Sequence, residues 1–316
     1  MKDSQNIFSK TRSLKVFFIL LISVVYTGEI NAAPINGVGN IPPASYANAL
    51  FKLHDSLRSR LNNSPFKVPL IIESQQSADE IKGDVYAEVK YPFTTVSAAL
   101  ASPQVWCDIL ILHLNTKSCR LRVSAGKTTE APILSVSVGK KLEQPLASAF
   151  PIEFTWGAMQ RTNDFLQVNL SAASGPLSTR NYRILLEAIP LENGTTFIHL
   201  SYSYGFGATG KFLMKAYLST IARNKVGFTI TGKQANGQPT YVEGLLGLVE
   251  RNTMRYHLAV DAYLGSLQVP GGMQFEKRIG DWYAAAERYP QQLHEIERGQ
   301  YLDMKRVEYK RQHLPL

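Results

Sequence analysis

The stretch Thr179 to Gly207 constrains the fold more than any other, because it holds two alternating strands joined by an Asn193-Gly194 turn. Asn-Gly between alternating apolar residues is the strongest short-range signal for a β-hairpin. On the first strand Tyr182, Ile184, Leu186 and Ala188 share one face, opposite Arg183, Leu185 and Glu187. On the second, Ile198, Leu200, Tyr202 and Tyr204 oppose His199, Ser201 and Ser203. A period of two predicts an antiparallel sheet with one apolar and one wet face, so another element must cover the apolar side.

The same alternation recurs upstream. Ile109 to Asn115, Ile133 to Val138, Phe150 to Ala158 and Phe165 to Ala173 read as further strands, with Phe150, Ile152, Phe154 and Trp156 on one face of the third. Together they predict one curved antiparallel sheet, apolar inside and wet outside. Before them, Ser45 caps a packing helix that runs to about Leu61, Val68 to Glu73 reads as a strand, and Gly83 to Tyr91 is a clearer one, stopped by Pro92. Thr94 to Leu100 and Pro103 to Asp108 read as two short helices, with Trp106 closing the pair on something apolar. After the hairpin come a helix from Thr209 to Arg223, a strand from Val226 to Thr231, an Asn236-Gly237 turn, and a long helix from Tyr241 to Leu267. That helix is apolar on more than one side, which is the pattern of a buried helix. Pro270-Gly271-Gly272 separates it from a polar tail of two helices broken at Pro290.

Residues 1–33 read as a signal peptide: Lys10, Arg12 and Lys15, then the apolar run Val16 to Tyr26, then small residues for cleavage near Ala32. The run is well short of the roughly 20 residues that span a bilayer. A periplasmic or secreted protein is therefore expected. Removing that segment takes away Lys2, Lys10, Arg12 and Lys15 with Asp3 and Glu29, lowering the formal charge from +9 to +7. The surplus is scattered, so nucleic acid is not an expected partner, and an anionic membrane surface or an acidic ligand suits it better. In an oxidising compartment the two cysteines, Cys107 and Cys119, read as a disulfide. His113 lies midway between them, but a metal site would need a further ligand at a recognisable spacing, and none is present.

Strand, two short helices, a run of antiparallel strands and a long apolar helix follow the order of the α+β helix-grip fold. The segment from Gly83 to Leu267 resembles the START and Bet v 1-like (SRPBCC) superfamily. The resemblance is carried by Val85-Tyr-Ala-Glu-Val89, Pro92-Phe-Thr-Thr-Val96, Pro103-Gln-Val-Trp106 and the helix Tyr241 to Leu267. With that segment as a helix-grip ligand-binding domain, 83–267, the chain divides into four parts, the others being the signal 1–33, an N-terminal helix and lead-in 34–82, and a C-terminal helical extension 268–316. The resemblance also implies a cavity between sheet and long helix for a hydrophobic small molecule or lipid. A cyclase or hydrolase of the same superfamily and a structural, partner-binding protein are the alternatives.

The candidate ligand-binding residues are Trp156, Tyr182, Tyr202 and Tyr204 on the inward face of the sheet, and Arg251, Met254 and Arg255 on the long helix. The aromatic residues either line a pocket or pack as core. Arg251 and Arg255 lie one turn apart and either anchor a carboxylate or phosphate, pair with Glu243, Glu250 or Asp261, or face solvent. No catalytic residue, metal ligand or cofactor is assigned. Gly205-Phe-Gly207-Ala-Thr-Gly210 has the spacing of a dinucleotide loop, but its strand belongs to an antiparallel hairpin, and no Asp or Glu follows from Lys211 to Pro239 to hold a ribose. His199 is expected at the surface, and Arg183 with Glu187 as a solvated pair.

Overall fold

In the computed structural model, which describes residues 43–123, 131–157, 159–208, 210 and 225–314, the hairpin is the centre of a nine-stranded antiparallel sheet. Strands β8 (Thr179–Pro190) and β9 (Thr196–Phe206) pair from Pro190 opposite Thr196 outward, and Gly194 takes the left-handed conformation in the turn between them. The Asn193 side chain accepts the Thr195 backbone N–H and fixes that turn. Around this pair stand β1 (Leu70–Gln76), β2 (Glu80–Val89), β3 (Thr116–Arg122), β4 (Ile133–Val138), β5 (Phe150–Trp156) and β7 (Leu166–Ser174). Their order is β1-β2-β9-β8-β7-β5-β4-β3, with the two-residue β6 (Gln160–Arg161) beside β7. The crossover from β2 to β3 at the far edge passes through α2 (Phe93–Leu100) and α3 (Pro103–Leu110).

The long helix, α4 (Gly244–Ser266), packs on β1, β2 and β9. Its path explains a glycine. A Cβ added to Gly83 of β2 would lie 2.3 Å from Thr253 Oγ1, so helix and strand backbone approach as closely as they do only because nothing projects there. Val249, Met254, Leu258 and the sheet residues Val85, Leu200 and Leu186 join one apolar core. The tail helices α5 (Gly271–Ala286), α6 (Pro290–Leu293) and α7 (Arg298–His313) enter the same core through Ile279, Trp282, Leu293 and Tyr301. Trp282 donates its indole N–H to the Arg255 carbonyl, and Tyr301 its hydroxyl to the Leu112 carbonyl.

Several local expectations are corrected. The outer face of the hairpin's second strand is not wet: every residue of β9 is buried. Helix α1 (Pro43–Asn62) covers that face with Ala47, Leu50, Leu57 and Leu61 against Ile71, Tyr86, Ile189 and Phe197, forming a second apolar cluster. His199 is consequently buried, with its ring nitrogens 2.8 Å from Asp84 and 3.0 Å from Glu187. Glu187 therefore pairs with His199 and Gln167, while Arg183 stays exposed. The expected strand Ile109 to Asn115 is the end of α3 and the turn after it, and β3 begins at Thr116. The run Ile109-Leu-Ile-Leu112 is buried throughout, and an unbroken apolar run does not separate a buried helix end from a strand. The strand expected from Val226 is shorter and later, β10 (Ile230–Lys233), paired with β11 (Pro239–Tyr241) across Asn236-Gly237. The expected helix from Thr209 to Arg223 lies outside the described residues apart from Gly210, and the signal segment lies wholly outside them.

Cys107 of α3 and Cys119 of β3 form the disulfide, with Cα atoms 5.1 Å apart. It ties the short helices to the far edge of the sheet, and His113 sits in the loop it closes. Among the described residues no helix is long and apolar enough to cross a membrane.

Candidate functional site

The alternation of β8 and β9 sends Tyr182, Tyr202 and Tyr204 to the concave face, where their rings touch. Tyr182 stacks on Tyr204 with centroids 5.2 Å apart, and Tyr202 lies 5.6 Å from Tyr204. Phe154 of β5 meets Tyr182 edge-on at 6.4 Å, and Tyr256 of α4 closes over Tyr202 at 5.2 Å. These five rings border a cavity of about 1030 Å³ between sheet, α4 and the loops 139–149 and 294–296. That volume lies in the range of small-molecule sites. The lining is mainly apolar, with Val138, Ile152, Leu248 and Ile296 joining the rings.

Polar groups enter at defined points. The Tyr182 hydroxyl meets Thr179 Oγ1 at 2.6 Å. The hydroxyls of Tyr202, Tyr204 and Tyr256 make no hydrogen bond among the described residues. Burial raises the pKa of all four phenols, so they stay protonated at neutral pH and act as neutral donors and acceptors. At one end His113 and Asn252 reach the wall, the His113 ring 4.9 Å from Tyr256. The Asn115 backbone N–H donates to His113 Nδ1 at 3.2 Å, which leaves the ring proton on Nε2. Burial, followed by the charges of Arg255, Lys305 and Lys141, holds the His113 pKa well below the ordinary value, so the ring is neutral. Asn252 stands beside the ring and acts weakly in the other direction, without meeting Nε2 at hydrogen-bonding geometry.

Lys141 and Glu295 also line this end, with Nζ 2.6 Å from Oε1. Glu295 further receives Arg255 at 2.9 Å and Lys225 at 3.6 Å. Burial followed by Arg255 pushes Lys141 down to about 8, whereas for Glu295 the three cations outweigh burial and lower its pKa.

Of the seven candidate residues, Tyr182, Tyr202 and Tyr204 come together in the lining. The other four stand elsewhere. Trp156 packs edge-on against Trp106 at 6.4 Å, and Met254 is fully buried in the core behind the wall. Arg251 donates to the Val226 carbonyl, and Arg255 to Glu295, a partner from the tail that helix spacing could not reveal. Glu250 is also buried, and takes hydrogen bonds from Ser74, the backbone N–H groups of Phe228 and Thr229, and the Thr229 hydroxyl. Lys141, Glu295, Tyr256 and His113 were not singled out as site residues. Three of them sit in loops far apart in sequence, and Tyr256 follows the candidate Arg255 directly on the long helix.

A curved antiparallel sheet thus wraps a long helix and leaves a lined hollow beside it. The architecture is a helix-grip fold. No family model matches the chain, and no curated protein matches it. Among solved structures, a point mutant of norcoclaurine synthase from Thalictrum flavum, in complex with a transition-state analogue, is 14% identical over 46% of this chain and 91% of its own, with a TM-score of 0.33. Human StAR-related lipid transfer protein 5 is 10% identical over 55% of this chain and 90% of its own, with a TM-score of 0.30. An Arthrobacter aurescens protein solved in solution is 11% identical over 63% and 92%, with a TM-score of 0.33. The helix grip itself is read from this chain's strand order and from the seat of α4 on the sheet.

Proposed function

We propose that this helix-grip protein is exported and binds a hydrophobic small molecule or lipid in the cavity between sheet and α4. The observation that carries the reading is the cluster of Tyr182, Tyr202, Tyr204 and Tyr256 around a hollow of about 1030 Å³, with three phenol hydroxyls that take no protein partner among the described residues. A core without a ligand would close over such a hollow, because interiors pack to crystal density. Tyr182, Tyr202 and Tyr204 contact the ligand, while Trp156 and Met254 support the wall from behind. The disulfide suits an oxidising compartment, and the segment 1–33 supplies the export signal.

The test is native mass spectrometry of protein purified from its host, paired with titration by N-phenyl-1-naphthylamine, an uncharged dye that fluoresces in apolar cavities. A co-purifying molecule or saturable dye binding that weakens in Tyr202→Ala is the expected result. Protein that carries nothing and gives no dye signal is not a carrier.

A further inference from the structure

We propose that the end of the cavity beside Lys141 seats an anionic group, a carboxylate, sulfonate or phosphate, at the head of the apolar ligand. The inference rests on the ligand-binding reading above and names the ligand's class as an anionic amphiphile.

The argument begins with the surroundings of Glu295. One buried carboxylate is shared by Lys141 at 2.6 Å, Arg255 at 2.9 Å and Lys225 at 3.6 Å. Lys141 and Lys225 alone outnumber it. The other acid in this wall, Glu143, is exposed and forms no ion pair among the described residues, and Lys140 of the same wall is exposed as well. Lys141 and Lys225 are half-buried, and cations gathered around too few carboxylates repel one another, a cost that an incoming anion offsets. Burial chiefly, and then the charge of Arg255, pushes down both the His113 imidazole, on the loop after α3, and the Lys141 ammonium, on the loop between β4 and β5.

Position completes the case. Lys141 and Glu295 belong to the same continuous wall as Ile152, Phe154 and Tyr202, so a chain or ring system lying on the tyrosines would bring its head to the ammonium. Lys141 keeps two further N–H donors beyond the one directed at Glu295, and charge-assisted bonds from these to an oxyanion are the stronger class of hydrogen bond.

A matched dye pair tests this, since 8-anilinonaphthalene-1-sulfonate differs from N-phenyl-1-naphthylamine only by its sulfonate. The wild-type protein should bind the sulfonate more tightly, and Lys141→Met should lower that preference roughly tenfold while the uncharged dye binds as before. Lys225→Met should lower it in the same direction, which keeps the test open if the first variant does not fold. Dodecanoate and dodecyl phosphate should both displace the sulfonate better than dodecanol, and their ranking tells carboxylate from phosphate. Unchanged preference in both variants, with the uncharged dye still bound, overturns the anion seat and leaves the apolar carrier standing. Failure of both dyes to bind the wild-type protein overturns the two together.

Discussion

Gly83 of β2 lies directly beneath Thr253 of α4, with room for a hydrogen but not a methyl, since a Cβ there would stand 2.3 Å from the threonine hydroxyl. The contact sets the depth at which the helix enters the sheet. Thr253 is itself held, its hydroxyl donating to the Val249 carbonyl at 2.8 Å.

Gly83→Ala should therefore destabilise the protein by about 1–3 kcal/mol, the usual cost of overpacking. Urea unfolding checks this. Adding Thr253→Ala removes the clashing oxygen and should recover part of the loss, giving a favourable coupling between the two sites. Simple additivity would mean that the contact does not set the helix position.

The Asp84–His199–Glu187 chain under α1 should make stability depend on pH in two directions. Burial alone would lower the His199 pKa, but its hydrogen bonds to Asp84 and Glu187 prevail and raise it above 6.5. Its contribution is present below the unfolded value and is lost as pH rises through the folded one. Burial opposes ionisation of Asp84 and Glu187, yet their bonds to His199 lower both, from 3.8 and 4.5 respectively. Their contribution is present above those values and is lost as pH falls through the folded ones. The network should help most between about 4.5 and 6.5. His199→Gln should narrow its stability gap to the wild type on both sides of that window, measured by denaturant unfolding across pH.

Glu250 predicts a contrast between two substitutions. Its Oε2 takes two backbone N–H groups and its Oε1 two hydroxyls. A glutamine can keep its carbonyl on the N–H pair and turn its amide toward the hydroxyls, which rotate to accept. Glu250→Gln should thus cost about 1 kcal/mol and Glu250→Ala about 3 kcal/mol or more, since the latter strands buried donors. Equal losses in thermal or chemical unfolding would contradict the assigned geometry.

Replacing Cys107 and Cys119 together with serine should lower stability by about 3 kcal/mol, the chain-entropy value for a loop of this length. Calorimetry of the two proteins measures it. A loss near zero would show that α3 and β3 hold each other without the link.

The sequence was legible wherever one period spoke for one environment. β4 falls where the alternation put it, from Ile133 to Val138, and Asn193-Gly194 joins its hairpin as expected, whereas Asn236-Gly237 joins β10 to a short strand, β11, where the helix was expected to begin. The long helix begins three residues after Tyr241 and ends one before Leu267, with Gly244 in the left-handed conformation at its start. The reading failed where a residue's environment came from a distant element. His199 looks like a surface residue until Asp84 and Glu187 are brought against its ring, because polar side chains at alternate positions describe a wet surface and a buried hydrogen-bonded network equally well.

The site divides along the same line. Sequence alone placed Tyr182, Tyr202 and Tyr204 on one face of a hairpin, since strand geometry leaves a residue only two sides. Only the tertiary structure could bring Lys141 from one loop and Glu295 from the tail to the end of that face, 2.6 Å apart, and withdraw Arg255 into their pairing. A local period carries no information about which distant charges meet, because that is decided by how helices and sheet close over one another.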